Sequence, residues 1–462
     1  MAAVHDQENP PAAAAAVVVV VVPFLFQSHL NQALQLAHLI SSYKIPVYYA
    51  TSAAHCRQAK LRYNGKNTSS ITHLNFIELP MPPFLSPPPN PNSTLKFPSH
   101  LQPCLDVCLE LRHPTAALLR QLSSSSKRVV VINDTNMAYV TQDVATIPNA
   151  ESYSFSCISA FSLHCIINQG ILDEYKTNVD RIYLKPIAET VTPEILKFAA
   201  YQSPHEDLKS GDLINTCRTL ERSYLDLLKD KKQWAVAPLN PVIRATDEMI
   251  NNNTCLLWLD KQPRKSVLFV SFGSTTSMMD EQVKELAMGL RQSKQRFLWV
   301  FRDAERGNAF SDDNGDRKSG LPDGFEESVE GIGMVTRDWA PQVEILGHGS
   351  VGAFMSHCGW NSCMESLSMG VPIVAWPMHS EQPYNALLVT EMLKAGVAIK
   401  ECDGDLVGSD LIKEAIEEMM VSDEGVIKRE RAEEIGLVLR NAVEEGGATR
   451  LEMDSFVEHI TR

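Results

Sequence analysis

Apolar positions along this chain follow two alternating rhythms. Residues 17–22 are six consecutive valines. The run is too short for a buried helix and is built of β-branched side chains that suit a pleat, so it predicts a parallel strand covered on both faces. Residues 32–40 then set Leu34, Leu36, Ala37, Leu39 and Ile40 on one helical face, and 47–50 is short and apolar again. Strand, helix and strand in that order predict a β-α-β opening. Another β-branched run, 128–132, ends in Asn133-Asp134-Thr135 between helical patterns, which extends the first half into a doubly wound sheet.

The pattern restarts in the second half. Residues 266–271 predict a strand, 280–292 an amphipathic helix, 296–301 another strand, 411–420 and 428–443 surface helices, and 451–460 a last helix. The two opening strands do not match in sequence, so one architecture is used twice without a detectable repeat. Three stretches break both rhythms. The proline-rich segment 80–98 predicts a long surface loop walling a ligand site. The polar segment 238–253, with Pro238 and Pro241, predicts the domain linker, and the charged, glycine-containing segment 303–323 predicts a mobile loop.

At 462 residues the chain is too long for one core, and two large domains are expected. A composition of 44% hydrophobic, 21% charged and 7% aromatic residues is that of a globular protein, and a net charge of −14 is the wrong sign for gripping nucleic acid or anionic membrane. The ten cysteines form no CxxC pair and no Cys/His cluster of metal-site spacing, so reduced, mostly buried thiols are expected. The apolar stretch 12–26 contains Pro23 and follows no basic residue. It reads as a strand rather than a signal peptide or anchor. The sequons at Asn67, Asn92, Asn133 and Asn252 are then chance matches, a cytosolic location without integral membrane contact is expected, and a monomer is the default.

Chemistry concentrates in residues 339–382. There 349–355 predicts a strand, His357-Cys358-Gly359-Trp360 a tight turn, 361–369 a helix stopped by Gly370, and 371–376 the next strand. In this β-α-β unit Asn361 and Ser362 sit where helix caps belong, and Gly359 lets backbone approach a ligand closely. Free N–H groups and the helix dipole then favour a diphosphate. His357 can donate to the same group. Glu365, four residues after Asn361 and on the same helix face, can accept two ribose hydroxyl protons. The nearby run 347–352 satisfies G-x-G-x-x-G but precedes a strand instead of following one, so a dinucleotide-dependent dehydrogenase is not indicated.

The run W-A-P-Q-x-E-I-L, G-x-F-x-S-H-C-G-W-N-S-x-x-E-S, G-V-P-x-x-x-W-P and E-Q over these 44 positions resembles the plant secondary-product glycosyltransferase box of family-1 UDP-sugar transferases. The resemblance extends nearly end to end, including Leu321-Pro322-x-Gly324-Phe325 and the terminal helix. It implies a GT-B fold, α/β, with two Rossmann-like doubly wound domains facing across a cleft: an acceptor domain over 1–245, a UDP-sugar domain over 246–445, and a C-terminal helix over 446–462 that returns to the first domain. It implies that Trp339 stacks on uracil, that Ala340 and Gln342 meet the base edge, and that Glu365 holds the ribose. His357, Asn361, Ser362 and Ser274 would hold the diphosphate, and Trp360, Glu381 and Gln382 would address the sugar. His29-Leu30-Asn31-Gln32, the run from Arg128 to Asp134, and His379-Ser-Glu-Gln-Pro383 look most like the zeatin O-glycosyltransferase branch. Ser28, where a glycine is common, and Asn133, where that branch often has histidine, depart from the pattern and bear on acceptor identity.

His29 follows the opening strand, and Asp134 ends a later one, both at the carboxyl edge where doubly wound sheets bind ligands. Transfer to a hydroxyl needs a base for its proton, and neutral imidazole, with pKa ~6.5, suits pH 7. An aspartate on the other ring nitrogen fixes the tautomer and stabilises the imidazolium; the resemblance implies this catalytic use of the pair. The expectation is a metal-independent, cofactor-free, inverting transferase passing glucose from UDP-glucose to a small acceptor such as a cytokinin, phenolic or flavonoid. Transfer to carbon on a flavonoid-type acceptor and a catalytically silent UDP-sugar-binding protein remain as alternatives.

Overall fold

The computed structural model describes residues 15–63, 73–92, 96–168, 182, 184–228, 232–240, 253–302, 320–338, 340–400 and 406–462. Two sheets organise them. In the first, β1 (Ala15–Val22), β2 (Val47–Ser52), β3 (Leu74–Leu79), β4 (Ser126–Asp134), β5 (Ala150–Ser156), β6 (Lys209–Ile214) and β7 (Lys232–Ala235) lie in the order β3-β2-β1-β4-β5-β6-β7. In the second, β8 (Val267–Ser271), β9 (Arg296–Val300), β10 (Gly333–Thr336), β11 (Val351–Ser356), β12 (Ile373–Ala375) and β13 (Gly396–Ala398) lie in the order β10-β9-β8-β11-β12-β13. Each of these pairings is parallel.

The valine run explains itself in β1. Val17, Val19 and Val21 enter one core cluster while Val18, Val20 and Val22 enter another on the opposite face, so the strand is buried on both sides. Helix Gln27–Ser42 follows and buries Leu30, Leu34, Leu36 and Ile40. It begins earlier than its apolar periodicity suggested, and His29 stands in its first turn instead of ahead of it. In the second half, helix Asp280–Ser293 buries Val283, Leu286 and Leu290 against β8 and β9.

Helix Ala448–Thr461 crosses back to the first sheet. Met453, Phe456 and Ile460 join the core cluster that holds Val19 and Val21. Tyr43 donates to Asp454 at 2.7 Å, Arg218 pairs with Glu452, and Arg128 Nη1 donates to the Ile460 carbonyl at 2.9 Å. Buried side chains of this size contribute ~1.5–3 kcal/mol each, so the apolar face dominates this docking and the polar bonds fix its register.

Residues 80–92 and 96–98 carry no regular element, as the prolines require. Residues 241–252 of the expected linker, 303–319 of the charged loop, Asn67, Trp339 and Cys402 lie outside the described residues. The other nine cysteines are buried and unpaired. Among the described residues no helix is long and apolar enough to cross a membrane.

Candidate active site

Parallel order places the two halves of the first cluster side by side. β1 and β4 are neighbours, with Val22 opposite Asn133, and the connections diverge there, so a crevice opens at their carboxyl ends. Asp134 is the last residue of β4, and the chain leaving β1 turns into the helix that carries His29. His29 Nδ1 lies 2.7 Å from Asp134 Oδ2, with the aspartate side chain 1% exposed and the imidazole 19% exposed. Asp134 Oδ1 accepts from the Asn136 backbone N–H at 2.9 Å and its Nδ2 at 3.2 Å. A carboxylate only accepts, which assigns the ring proton to Nδ1 and leaves the lone pair on Nε2. Burial pulls the His29 pKa down, but the charge and hydrogen bond of Asp134, with a contribution from Glu381, hold it above the usual 6.5. Phe24 meets the imidazole edge to face at 5.1 Å.

Cys157, just past β5, adds a contact that sequence reasoning missed: its thiol donates to Asp134 Oδ2 at 3.4 Å. His29, Asp134 and Cys157 offer ligand atoms all within 4.8 Å of one another, a constellation that could hold a metal ion. Burial and the Asp134 charge push the Cys157 thiol well above its ordinary pKa. With no cation bound it is a protonated donor to Asp134.

The second sheet repeats the arrangement. β8 and β11 end together, Ser271 opposite Ser356. Ser274 lies just past β8 and the turn His357-Cys358-Gly359 just past β11, so the two segments expected to meet a diphosphate are adjacent at this switch point. Helix Trp360–Ser368 starts from Gly359, its N-cap residue, with no side-chain cap. This corrects the expectation for Asn361 and Ser362: both lie inside the first turn and point elsewhere. The Ser362 hydroxyl accepts from Gln342 Nε2 at 3.1 Å, and the same Nε2 donates to Glu365 Oε2 at 2.7 Å. Gln342, Ser362 and Glu365 therefore form one polar cluster, beside a half-buried Ala340.

His357 is wedged between two glycines. A Cβ on Gly273 would come within 2.8 Å of its Cε1 and Nε2, and one on Gly359 within 2.6 Å of its Nε2. Burial lowers its pKa to about 4, so the ring is neutral, and its buried Nδ1 has no hydrogen-bond partner among the described residues.

Asn361 and Trp360 of the box reach across to the first domain by hydrogen bonds. Asn361 Nδ2 donates to the Ser28 carbonyl at 2.8 Å, one residue from His29, and Trp360 Nε1 donates to the Asn215 carbonyl at 2.5 Å. The Trp360 indole N–H is thus engaged between the domains. Glu381 is recessed near His29; burial raises its pKa while its own backbone N–H and His29 oppose the rise. The Gln382 carboxamide oxygen accepts from the Met378 and His379 backbone N–H groups at 2.9 and 3.1 Å, so it braces its own loop instead of standing free.

Two family models divide the chain between them: "Glycosyltransferase, N-terminal domain" matches residues 15–241, and "UDP-glucoronosyl and UDP-glucosyl transferase" matches 236–428. The chain is 44% identical to a zeatin O-glucosyltransferase of Phaseolus lunatus, over 96% of both chains. This protein belongs to the plant UDP-dependent glycosyltransferases. The transferase is also 44% identical to a zeatin O-xylosyltransferase of Phaseolus vulgaris, over 96% of its own length and 97% of the relative's. A solved transferase from Siraitia grosvenorii in complex with UDP superposes with a TM-score of 0.76 at 27% identity, over 96% of this chain and all of that one. The two parallel sheets are the GT-B fold that the box implied.

Proposed function

We propose that this transferase moves glucose from UDP-glucose to a hydroxyl of a small plant acceptor of the zeatin type, with inversion, to give a β-glucoside. The observation that carries the reading is the pair of a part-exposed His29 and a buried Asp134 at 2.7 Å, one residue from a backbone carbonyl held by the donor-side Asn361. His29 Nε2 takes the acceptor proton, and Asp134 orients the ring and balances the imidazolium charge. The freed oxygen attacks the anomeric carbon from the face opposite UDP. The bond to UDP breaks, and the diphosphate leaves with the bonding electrons.

Neutral His357 donates one hydrogen bond to that diphosphate, together with N–H groups at the start of helix Trp360–Ser368 and the Ser274 hydroxyl. Gln342, Ser362 and Glu365 take the nucleoside, with Glu365 accepting from the ribose hydroxyls once Gln342 shares it; Trp339 and Ala340 take the uracil. Glu381 and Gln382 border the sugar. No step requires a metal, because fixed donors carry the developing charge. Nine buried, unpaired cysteines suit a reducing compartment such as the cytosol.

Glucose is preferred because one relative at 44% identity is named for glucosyl transfer. The other is named for xylosyl transfer, so the donor is decided by measurement. Incubation with UDP-glucose and a panel of cytokinins, phenolics and flavonoids, read by UDP release and product mass, tests the reading. Release of UDP with an acid-labile hexosyl product on a hydroxylated acceptor supports it, and a tight UDP complex without turnover on any acceptor overturns it.

A further inference from the structure

The turn that faces the expected diphosphate is held in an uncommon shape. Cys358 has φ of 63°, the left-handed region that side chains other than glycine seldom enter. It stands between His357 and Gly359, so its backbone sets where the imidazole points and where the N–H groups of the following helix begin. A non-glycine residue stays in that conformation only when its surroundings hold it.

Asn385 does the holding. It lies on the helix Gln382–Leu387 and is 0% exposed. Its Nδ2 donates to the Cys358 carbonyl at 3.0 Å. Its Oδ1 accepts from two hydroxyls of the first domain, Ser162 Oγ at 2.7 Å and Ser159 Oγ at 3.1 Å. Those serines are themselves fixed. Ser159 caps the helix Ala160–Ile167 and accepts from the Ser162 backbone N–H at 3.0 Å. The buried Glu221 carboxylate accepts from the Phe161 N–H at 2.9 Å at the same helix start, and also holds the Thr216 hydroxyl. One amide therefore ties the donor turn of the second domain to a rigid helix start of the first.

We propose that Asn385 is a positioning residue for the nucleotide diphosphate, and that the Ser159 and Ser162 hydroxyls of the acceptor domain complete the donor site through it. The inference rests on the donor-site reading above, but it needs no turnover. Losing the amide leaves the buried Cys358 carbonyl unpaired and frees the backbone to leave its left-handed conformation. His357 and the helix N–H groups then no longer converge.

Calorimetric titration with UDP alone tests it. The wild-type chain must first bind UDP; if it does not, the donor-site reading fails rather than this inference. In Asn385→Ala, UDP affinity is expected to fall roughly ten- to a hundredfold, the cost of stranding a buried hydrogen-bonding group. Adding Cys358→Gly to Asn385→Ala is expected to restore affinity to within about threefold of wild type, because glycine adopts positive φ without help. A general packing defect would not be repaired in this way, so a double variant no better than Asn385→Ala overturns the proposal. Should Asn385→Ala fail to fold, as judged by circular dichroism, Ser159→Ala/Ser162→Ala leaves the bond to Cys358 in place but unanchored. There UDP affinity is expected to fall about three- to tenfold, and unchanged affinity in that folded variant overturns the interdomain coupling.

Discussion

Replacing Asp134 by asparagine probes the proposed base at its orienting end. Asp134 Oδ1 already takes two donors from Asn136, while Oδ2 takes His29 Nδ1 and the Cys157 thiol. An asparagine can satisfy Asn136 only with its carbonyl oxygen, so its NH2 must occupy the Oδ2 position. His29 Nδ1 then has to accept, and the ring proton moves to Nε2, where the lone pair of the base is needed. Flipping the amide gives no relief, since NH2 would face the two Asn136 donors. Loss of a general base costs about 10²–10⁴ in rate, and kcat of Asp134→Asn is expected to fall by an amount in that range. UDP affinity is expected to stay within about twofold, because none of the donor-side contacts involves Asp134. The pH profile adds a second reading. Burial lowers the His29 pKa and Asp134 more than reverses it, so the acid limb of wild-type kcat/KM lies above ~6.5. With the charge removed, burial dominates and the residual activity should have its acid limb below that value. Initial rates of UDP release between about pH 5 and pH 9, with calorimetry for UDP, measure both. A kcat within tenfold of wild type, with the acid limb unmoved, would refute the orienting role.

His29→Ala/Asp134→Asn should be scarcely slower than His29→Ala alone, since without the imidazole the aspartate has nothing to orient; losses that multiply would mean a separate role for Asp134. Glu365→Ala removes the charged acceptor that Gln342 now occupies at 2.7 Å, and UDP affinity is expected to fall about ten- to a hundredfold by calorimetry, with melting temperature nearly unchanged. Gly359→Ala places a Cβ 2.6 Å from His357 Nε2; the imidazole must move, so UDP affinity is expected to drop at least about tenfold while a structurally distant Gly349→Ala leaves it intact. His357 and His379 are held neutral by burial, with pKa values of about 4 and about 3. Their folded values lie below the unfolded value of ~6.5, so the stability they permit is complete above that pH and is lost as pH falls toward the folded values. Melting temperature is therefore expected to decline from pH 7 to pH 5, and His379→Gln should flatten that decline in a calorimetric scan.

Much of this was written in local pattern. The valine run could only be a doubly covered strand, and the donor box is contiguous, so its strand, turn and helix sit one after another in the chain. Other strands were illegible for physical reasons. In β5, Ala150–Ser156, serines alternate with aromatics, and β6, Lys209–Ile214, carries Gly211 and Asp212; neither run shows the apolar density that a central strand usually needs. Helix Gln27–Ser42 opens on Gln27, Ser28 and His29, which have no apolar period, so His29 read as a loop residue. The cap at Gly359 was hidden because asparagine and serine are the commoner caps, and only the backbone shows that the turn ends one residue earlier. Contacts between distant positions were out of reach altogether. Nothing in the sequence ties Cys157 to Asp134, Trp360 to Asn215, or Asn385 to Ser162, since each pairing exists only after the sheets have formed.

Glucosyl transfer to a hydroxyl with inversion, driven by His29, is what the site is proposed to carry out. Its most direct measurement is one reaction followed to its product: UDP-glucose, trans-zeatin or the best acceptor of the panel, and the wild-type chain beside His29→Ala, with the product resolved by proton NMR. The expected product is an O-glucoside whose anomeric proton shows the large diaxial coupling of the β configuration. The kcat/KM for UDP-glucose is expected to exceed that for UDP-xylose, and a His29→Ala chain that still binds UDP is expected to give almost no product. An α-configured product, or full turnover without His29, would contradict it.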